Sequence, residues 1–167
     1  MRRNSLPAGE TRGREGLVKV LASRMAELAR ICRSHSVALL YLFGSQAELA
    51  ERVLRSEAAE TPHPRDPLAD ADVGVVMKNP LPDPDKRRGL YSALYNDLVD
   101  LFPGLNLDLV FLEEGHAVFQ AEALMGRCVY AASERFRESY EHRVLARAAD
   151  FRPVLERFYK ERFEEGV

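Results

Sequence analysis

Three short apolar runs, each closed by glycine, proline or acidic residues, alternate with longer stretches whose apolar residues recur at helical spacing. From Glu15 to Arg33, Leu17, Val18, Leu21, Met25 and Leu28 mark one face, which predicts an amphipathic helix. Val37 to Phe43 is continuously apolar and stops at Gly44, the pattern of a buried strand. Gln46 to Glu60 is rich in Ala, Glu, Leu and Arg and predicts a second helix. TPHPRDP at 61–67 predicts a loop, because Pro62, Pro64 and Pro67 have no amide to donate. Asp72 to Met77 predicts a second strand, ended by NPLPDPD. Leu90, Leu94, Leu98 and Leu101 give Asp85 to Leu101 a helical period. After the Pro103-Gly104 turn, Leu105 to Leu112 predicts a third strand. His116 to Met125 then predicts a helix, Arg127 to Tyr130 a short strand, and 133–165 one or two helices broken near Pro153. Strands mixed with helices throughout predict an α/β or α+β domain, a small mixed sheet with helices packed on it and a helical C-terminal tail.

A length of 167 residues suits one domain with a real core. The expected organisation is a flexible polar leader over 1–14, the sheet-bearing domain over 15–132, and a helical extension of it over 133–167. Net charge is −2, from 24 basic and 26 acidic residues, and gives no basic surface for duplex nucleic acid. Cys32 and Cys128 are far apart, and His35, His63, His116 and His142 are scattered, which argues against a zinc site. The basic start, MRRN, is followed by no apolar segment of signal-peptide type, and no apolar run reaches the length of a membrane span. The expectation is a cytoplasmic protein with reduced thiols and no membrane partner.

The candidate chemistry sits at the ends of the apolar runs. Gly44-Ser45 lies between a predicted strand and a predicted helix, where helix amides and a hydroxyl can cradle phosphate and glycine lets the backbone come close. Asp70 and Asp72 stand two apart at the start of the second strand, so they project from one face about 7 Å apart. Asp108 interrupts LNLDLVFL and is expected to be buried, where an ionised carboxylate is costly unless compensated. Three such groups facing one cleft imply a cation, and oxygen-only ligation favours Mg²⁺ or Mn²⁺. Each piece also has a plainer explanation. Ser45-Gln46-Ala47-Glu48 fits a capping box, and Asp-x-Asp is common in solvated turns.

Taken in order, LFGSQA, DADVGVV and LDLVFL resemble the polymerase-β-like nucleotidyltransferase superfamily, in particular its small single-domain, MNT-type antitoxin-like members. The resemblance covers about residues 15 to 130. It implies that Gly44 and Ser45 hold nucleotide phosphates and that Asp70 and Asp72 bind two Mg²⁺ ions. Asp108 would complete the metal site and orient or deprotonate the attacking hydroxyl. The implied reaction transfers a nucleoside monophosphate, AMP if the substrate is ATP, and releases pyrophosphate. Small members often modify a helical partner nuclease of the HEPN type, so a HEPN protein is the implied partner.

Three departures from the family pattern stand out. Twenty-five positions, including the Pro-rich segment, separate Ser45 from Asp70, where the family uses a shorter loop. Glu48-Leu49 stand where Arg-Gly is common, leaving Arg52, Arg55 or Arg65 as candidates to meet phosphate. Gly74 replaces an apolar residue after the aspartate pair. These departures keep open a non-catalytic or weakly active antitoxin or binding module on the same fold. Transfer to a small-molecule alcohol is a third reading, for which a homodimer could supply the missing substrate surface. In the tail, eight basic and eight acidic residues are interleaved with Phe136, Tyr140, Phe151, Phe158, Tyr159 and Phe163. A solvated helix packing its aromatics on the core accounts for this pattern, and a docking surface is the alternative. Lys86-Arg87-Arg88 reads as a solvated turn rather than a nucleotide contact.

Overall fold

A computed structural model describes residues 24–55 and 70–164, with side chains as far as residue 153. Residues 24–34 are helical (α1), and the chain continues through β1 (Val37–Phe43), α2 (Ala47–Leu54) and β2 (Ala71–Met77). It then forms α3 (Pro84–Val99), β3 (Leu107–Phe111), a 3-10 turn (Leu112–Glu114), α4 (Ala117–Leu124), β4 (Arg127–Ala131) and α5 (Glu134–Glu164). The fold is α+β. The expected leader, the start of the first helix, residues 56–60 and the 61–67 loop lie outside the described residues.

The strands form one mixed sheet in the order β3-β2-β1-β4. β1 runs antiparallel to β2 and β4, whereas β2 and β3 are parallel. A parallel pair needs a crossover, and α3 provides it. The unbroken apolar run of β1 is explained by its central place: Val37 to Leu42 are all buried, with helices on both faces of the sheet. On one face, Leu28 and Ile31 of α1, Leu49, Val53 and Leu54 of α2, and Leu94 and Leu98 of α3 pack against Leu40, Leu42, Val73, Val75 and Leu109. On the other, Ala123 of α4 and Tyr140 and Val144 of α5 cover Leu39, Tyr41 and Val76.

Local chemistry explains where the helices start and stop. α3 begins with Asp83 as N-cap and Pro84 in its first turn, where a missing amide costs nothing. α2 ends at Leu54, with Arg55 as its C-cap, short of the predicted Glu60. α5 runs through Pro153 as one helix, contrary to the predicted break. Proline there removes one intrahelical bond, and the helix continues past it. Phe136 and Tyr140 stack at 6.4 Å and pack on the core, as a solvated amphipathic helix requires, while Phe151 is exposed. Arg87 donates to the Pro82 carbonyl and pairs with Glu114, and Arg88 pairs with Asp85, so these two arginines tie down the start of α3.

Candidate active site

Strand order brings the candidate residues to one end of the sheet. β1 finishes there, and β2, β3 and β4 begin there. Asp72 is paired in register with Phe43 on β1 and with Asp108 on β3. Gly44 follows Phe43 with φ of +70°, a left-handed turn that glycine adopts without strain. A Cβ at Gly44 would lie 2.0 Å from Oδ2 of Asp72, so only glycine lets this turn sit against the carboxylate. The turn and the aspartate form one unit.

Asp70 directly precedes β2 and is exposed, held near by the Ala71 amide, which donates to the Asn106 carbonyl at 2.8 Å. Asp108 is also exposed, which corrects the expectation of a buried carboxylate. β3 is an edge strand whose neighbours Leu107 and Leu109 turn into the helix-covered face, so Asp108 points to the other face at its open end. Its proximity to Asp72, rather than its burial, makes it informative. Partial burial raises the Asp72 carboxyl above the usual carboxylate range, and the nearby charges of Asp108 and then Asp70 raise it further. Asp108 and Asp70 thus both lie within electrostatic reach of Asp72. Burial likewise raises the Tyr91 phenol, with Asp108 adding to the effect.

Among the described residues no group of three or more His, Cys, Asp or Glu side chains is placed to hold a metal ion. An open carboxylate set still fits Mg²⁺, which takes one or two carboxylates and fills its remaining positions with water and substrate phosphate. Mutual repulsion at Asp72 is the condition that such a cation relieves. Asp72 and Asp108, with Asp70 beside them, could hold it.

Ser45 is not a helix cap. Gln46 occupies the N-cap position of α2 and makes no side-chain capping bond, so the capping-box reading of Ser45 and Glu48 fails. The uncapped start of α2 opens instead on a cleft of about 550 Å³ lined by Gly44, Ser45, Glu48, Glu122, Met125 and Arg127 among others. Leu49, which departs from the family pattern, is buried in the core. Gly74, another departure, leaves room for Leu112, whose Cδ2 would lie 2.8 Å from an added Cβ. Of the basic residues proposed near phosphate, Arg55 is bound to Glu51 at 3.0 Å and Arg65 lies outside the described residues. Arg127 is the residue that sequence reasoning missed. Only its place at the start of β4, next to the end of β1, brings it to the cleft.

A family model described as polymerase beta, nucleotidyltransferase matches residues 26–135. Among solved structures, a chain from the tri-AMPylated Shewanella oneidensis HEPN toxin in complex with MNT antitoxin superposes with a TM-score of 0.50. It is 16% identical, over 83% of this chain and 98% of that one. A chain from a toxin–antitoxin complex with AMP-PNP gives a TM-score of 0.51 at 16% identity, over 81% and 98%. Another Shewanella oneidensis chain gives 0.50 at 14% identity, over 81% and 96%. At such identities these likenesses speak for the fold. Among curated proteins no sequence match is found. No helix among the described residues is long and apolar enough to cross a membrane. The family match spans both the Gly44-Ser45 turn and the three aspartates, and the chain belongs to the polymerase β nucleotidyltransferase family.

Proposed function

We propose that the protein transfers a nucleoside monophosphate, AMP from ATP, to an acceptor hydroxyl on a HEPN-type partner protein. The observation that carries this reading is the in-register pair Asp72 and Asp108 set against the Gly44-Ser45 turn. The family match supports the reaction class, and the antitoxin complexes with HEPN toxin and with AMP-PNP support the partner and the nucleotide.

In this reading Gly44 and Ser45 present the turn and the uncapped start of α2 to the phosphates, where amides and hydroxyl accept negative charge. Asp72 and Asp108, with Asp70 beside them, would hold divalent cations such as Mg²⁺. When bound, these supply charge neutralisation at the attacking and departing oxygens of an in-line displacement. Asp108, exposed at the open edge of the sheet, orients the acceptor hydroxyl and takes its proton. The hydroxyl oxygen bonds to the α-phosphorus, the bond from that phosphorus to the bridging oxygen breaks, and pyrophosphate leaves.

Incubation with labelled ATP, Mg²⁺ and a HEPN protein should label the partner, and Asp72→Asn and Asp108→Asn should abolish the label. Absence of label with every partner tested, while ATP still binds, would refute catalysis. That outcome would favour a non-catalytic antitoxin of the same fold. The carboxylates of Glu48 and Glu122 in the phosphate cleft are the observation on that side.

A further inference from the structure

β3 is an edge strand, and no strand among the described residues pairs with its outer side. The Asn106 carbonyl accepts from the Ala71 amide, so Asn106, Asp108 and Val110 turn their peptide groups to β2. The peptide groups of Leu107, Leu109 and Phe111 therefore point outward along the open edge. Side chains alternate between the two faces of the sheet. Leu107, Leu109 and Phe111 turn into the α3-covered face, and Asp108 lies on the opposite face.

Beside that edge, on the α3 face, is a pocket of about 280 Å³ lined by Pro84, Arg87, Arg88, Tyr91, Phe111 and Glu114. The Tyr91 and Phe111 rings meet edge to face at 6.2 Å. Arg87 is neutralised by Glu114 and Arg88 by Asp85, so the pocket suits a large uncharged side chain. Tyr91 reaches from the pocket to the edge, where its phenol lies against the Leu109 amide and near Asp108. It thus covers one of the outward donors, a common protection of edge strands.

Resting on the nucleotidyl-transfer reading, we propose that this edge seats the acceptor: the partner segment carrying the modified hydroxyl pairs with β3 as an added strand. The side of approach follows from the strand order. With phosphates at the Gly44-Ser45 turn, across β2, the β3 edge is where an acceptor reaches Asp108. The residue set opposite Asp108, one strand spacing or about 5 Å away, presents its hydroxyl on the Asp108 face. Residues an odd number of positions from it fall on the other face. The one opposite Phe111 fills the Tyr91–Phe111 pocket. Main-chain bonds to Leu109 and Phe111 hold the segment, and the pocket selects its side chain. Tyr91 gives up the Leu109 amide as the strand arrives.

The test uses a HEPN protein that the wild-type chain labels, with α,β-methylene ATP replacing ATP for the binding step. Hydrogen exchange at the Leu109 and Phe111 amides should slow by about 10-fold or more when the partner is added. The Asp108 and Val110 amides, already turned to β2, should not change. In labelling with ATP, Tyr91→Ala removes a pocket wall and should raise the partner's KM about 10-fold, with kcat and the KM for ATP unchanged. Tyr91→Phe keeps the pocket and uncovers the amide, so the partner's KM should fall by about 2- to 10-fold. An unchanged kcat also shows that the variants are folded. Labelling with unchanged exchange at both amides overturns the proposal and leaves the reaction class standing. So does Tyr91→Ala with a partner KM within about twofold of wild type. Protection that grows with protein concentration alone, in step with a doubled mass in sedimentation, assigns the edge to a second copy and overturns it too. Wild-type protein that labels no partner overturns the nucleotidyl-transfer reading, and this proposal with it.

Discussion

Asp72→Asn should stabilise the ligand-free protein while abolishing nucleotidyl transfer. Two unit charges one strand spacing apart, about 5 Å, repel by roughly 3 kcal/mol at an effective dielectric of 20 and by under ~1 kcal/mol in water. Asp70 and Asp108 are exposed and screened by solvent, so the gain belongs near the lower value, about 1 kcal/mol. For a domain of this size that corresponds to a melting temperature higher by about 2–4 °C. The pH dependence has a definite sign. Because the Asp72 carboxyl is raised in the folded state, its contribution to stability is full below the unfolded pKa and is lost as pH rises through the folded one. Asparagine removes that loss, so its advantage should be absent below the ordinary carboxylate range and grow as pH rises towards neutrality. Thermal melts of both proteins in EDTA from acid to neutral pH test this. Added Mg²⁺ should narrow the gap by stabilising only the wild type. An asparagine variant that melts at or below wild type at neutral pH, or keeps its advantage unchanged in acid, would refute the electrostatic account of the site.

Gly44→Ala should lower the melting temperature and abolish transfer. The added methyl meets the Asp72 carboxylate, and a left-handed non-glycine residue costs about 1–2 kcal/mol before that clash. A variant melting within a degree of wild type would show that the turn relaxes freely. Two tyrosines on the α5 face should respond oppositely to loss of the hydroxyl. Tyr41 donates to Glu141 at 2.8 Å, and Glu141 also accepts from Arg137 at 2.8 Å, so Tyr41→Phe should cost about 1–2 kcal/mol in urea melts. The Tyr140 hydroxyl is buried without a hydrogen-bond partner among the described residues, so Tyr140→Phe should be neutral or stabilising. Equal losses for the two would contradict this hydrogen-bond assignment.

The elements were legible where one physical signal dominated. β1 was read to the residue, because a central strand buried on both faces leaves an uninterrupted apolar run that Gly44 ends. α3 was legible from its leucine period, and the structure added the start of the helix, at Pro84 rather than Asp85. Asp108 was misjudged because an apolar run with one carboxylate reads alike whether the strand is central or at an edge. The strand order resolved it, placing β3 at the edge with one face open around Asp108. Ser45 also fitted a helix cap, because the capping-box pattern is local, whereas the left-handed turn at Gly44 shifts the helix start past it to Gln46.

The sequence by itself determined the residue types available for chemistry: a Gly-Ser turn, three carboxylates at strand-like segments, and the family pattern they compose. Tertiary structure alone decided their company. Registry between β2 and β3 sets Asp72 opposite Asp108, and pairing of β4 with β1 brings Arg127 to the other side of the turn. The physical reason is that hydrophobic periodicity reports which face of an element is buried and carries no record of which strand lies next to which. A site built across four strand ends depends on that order.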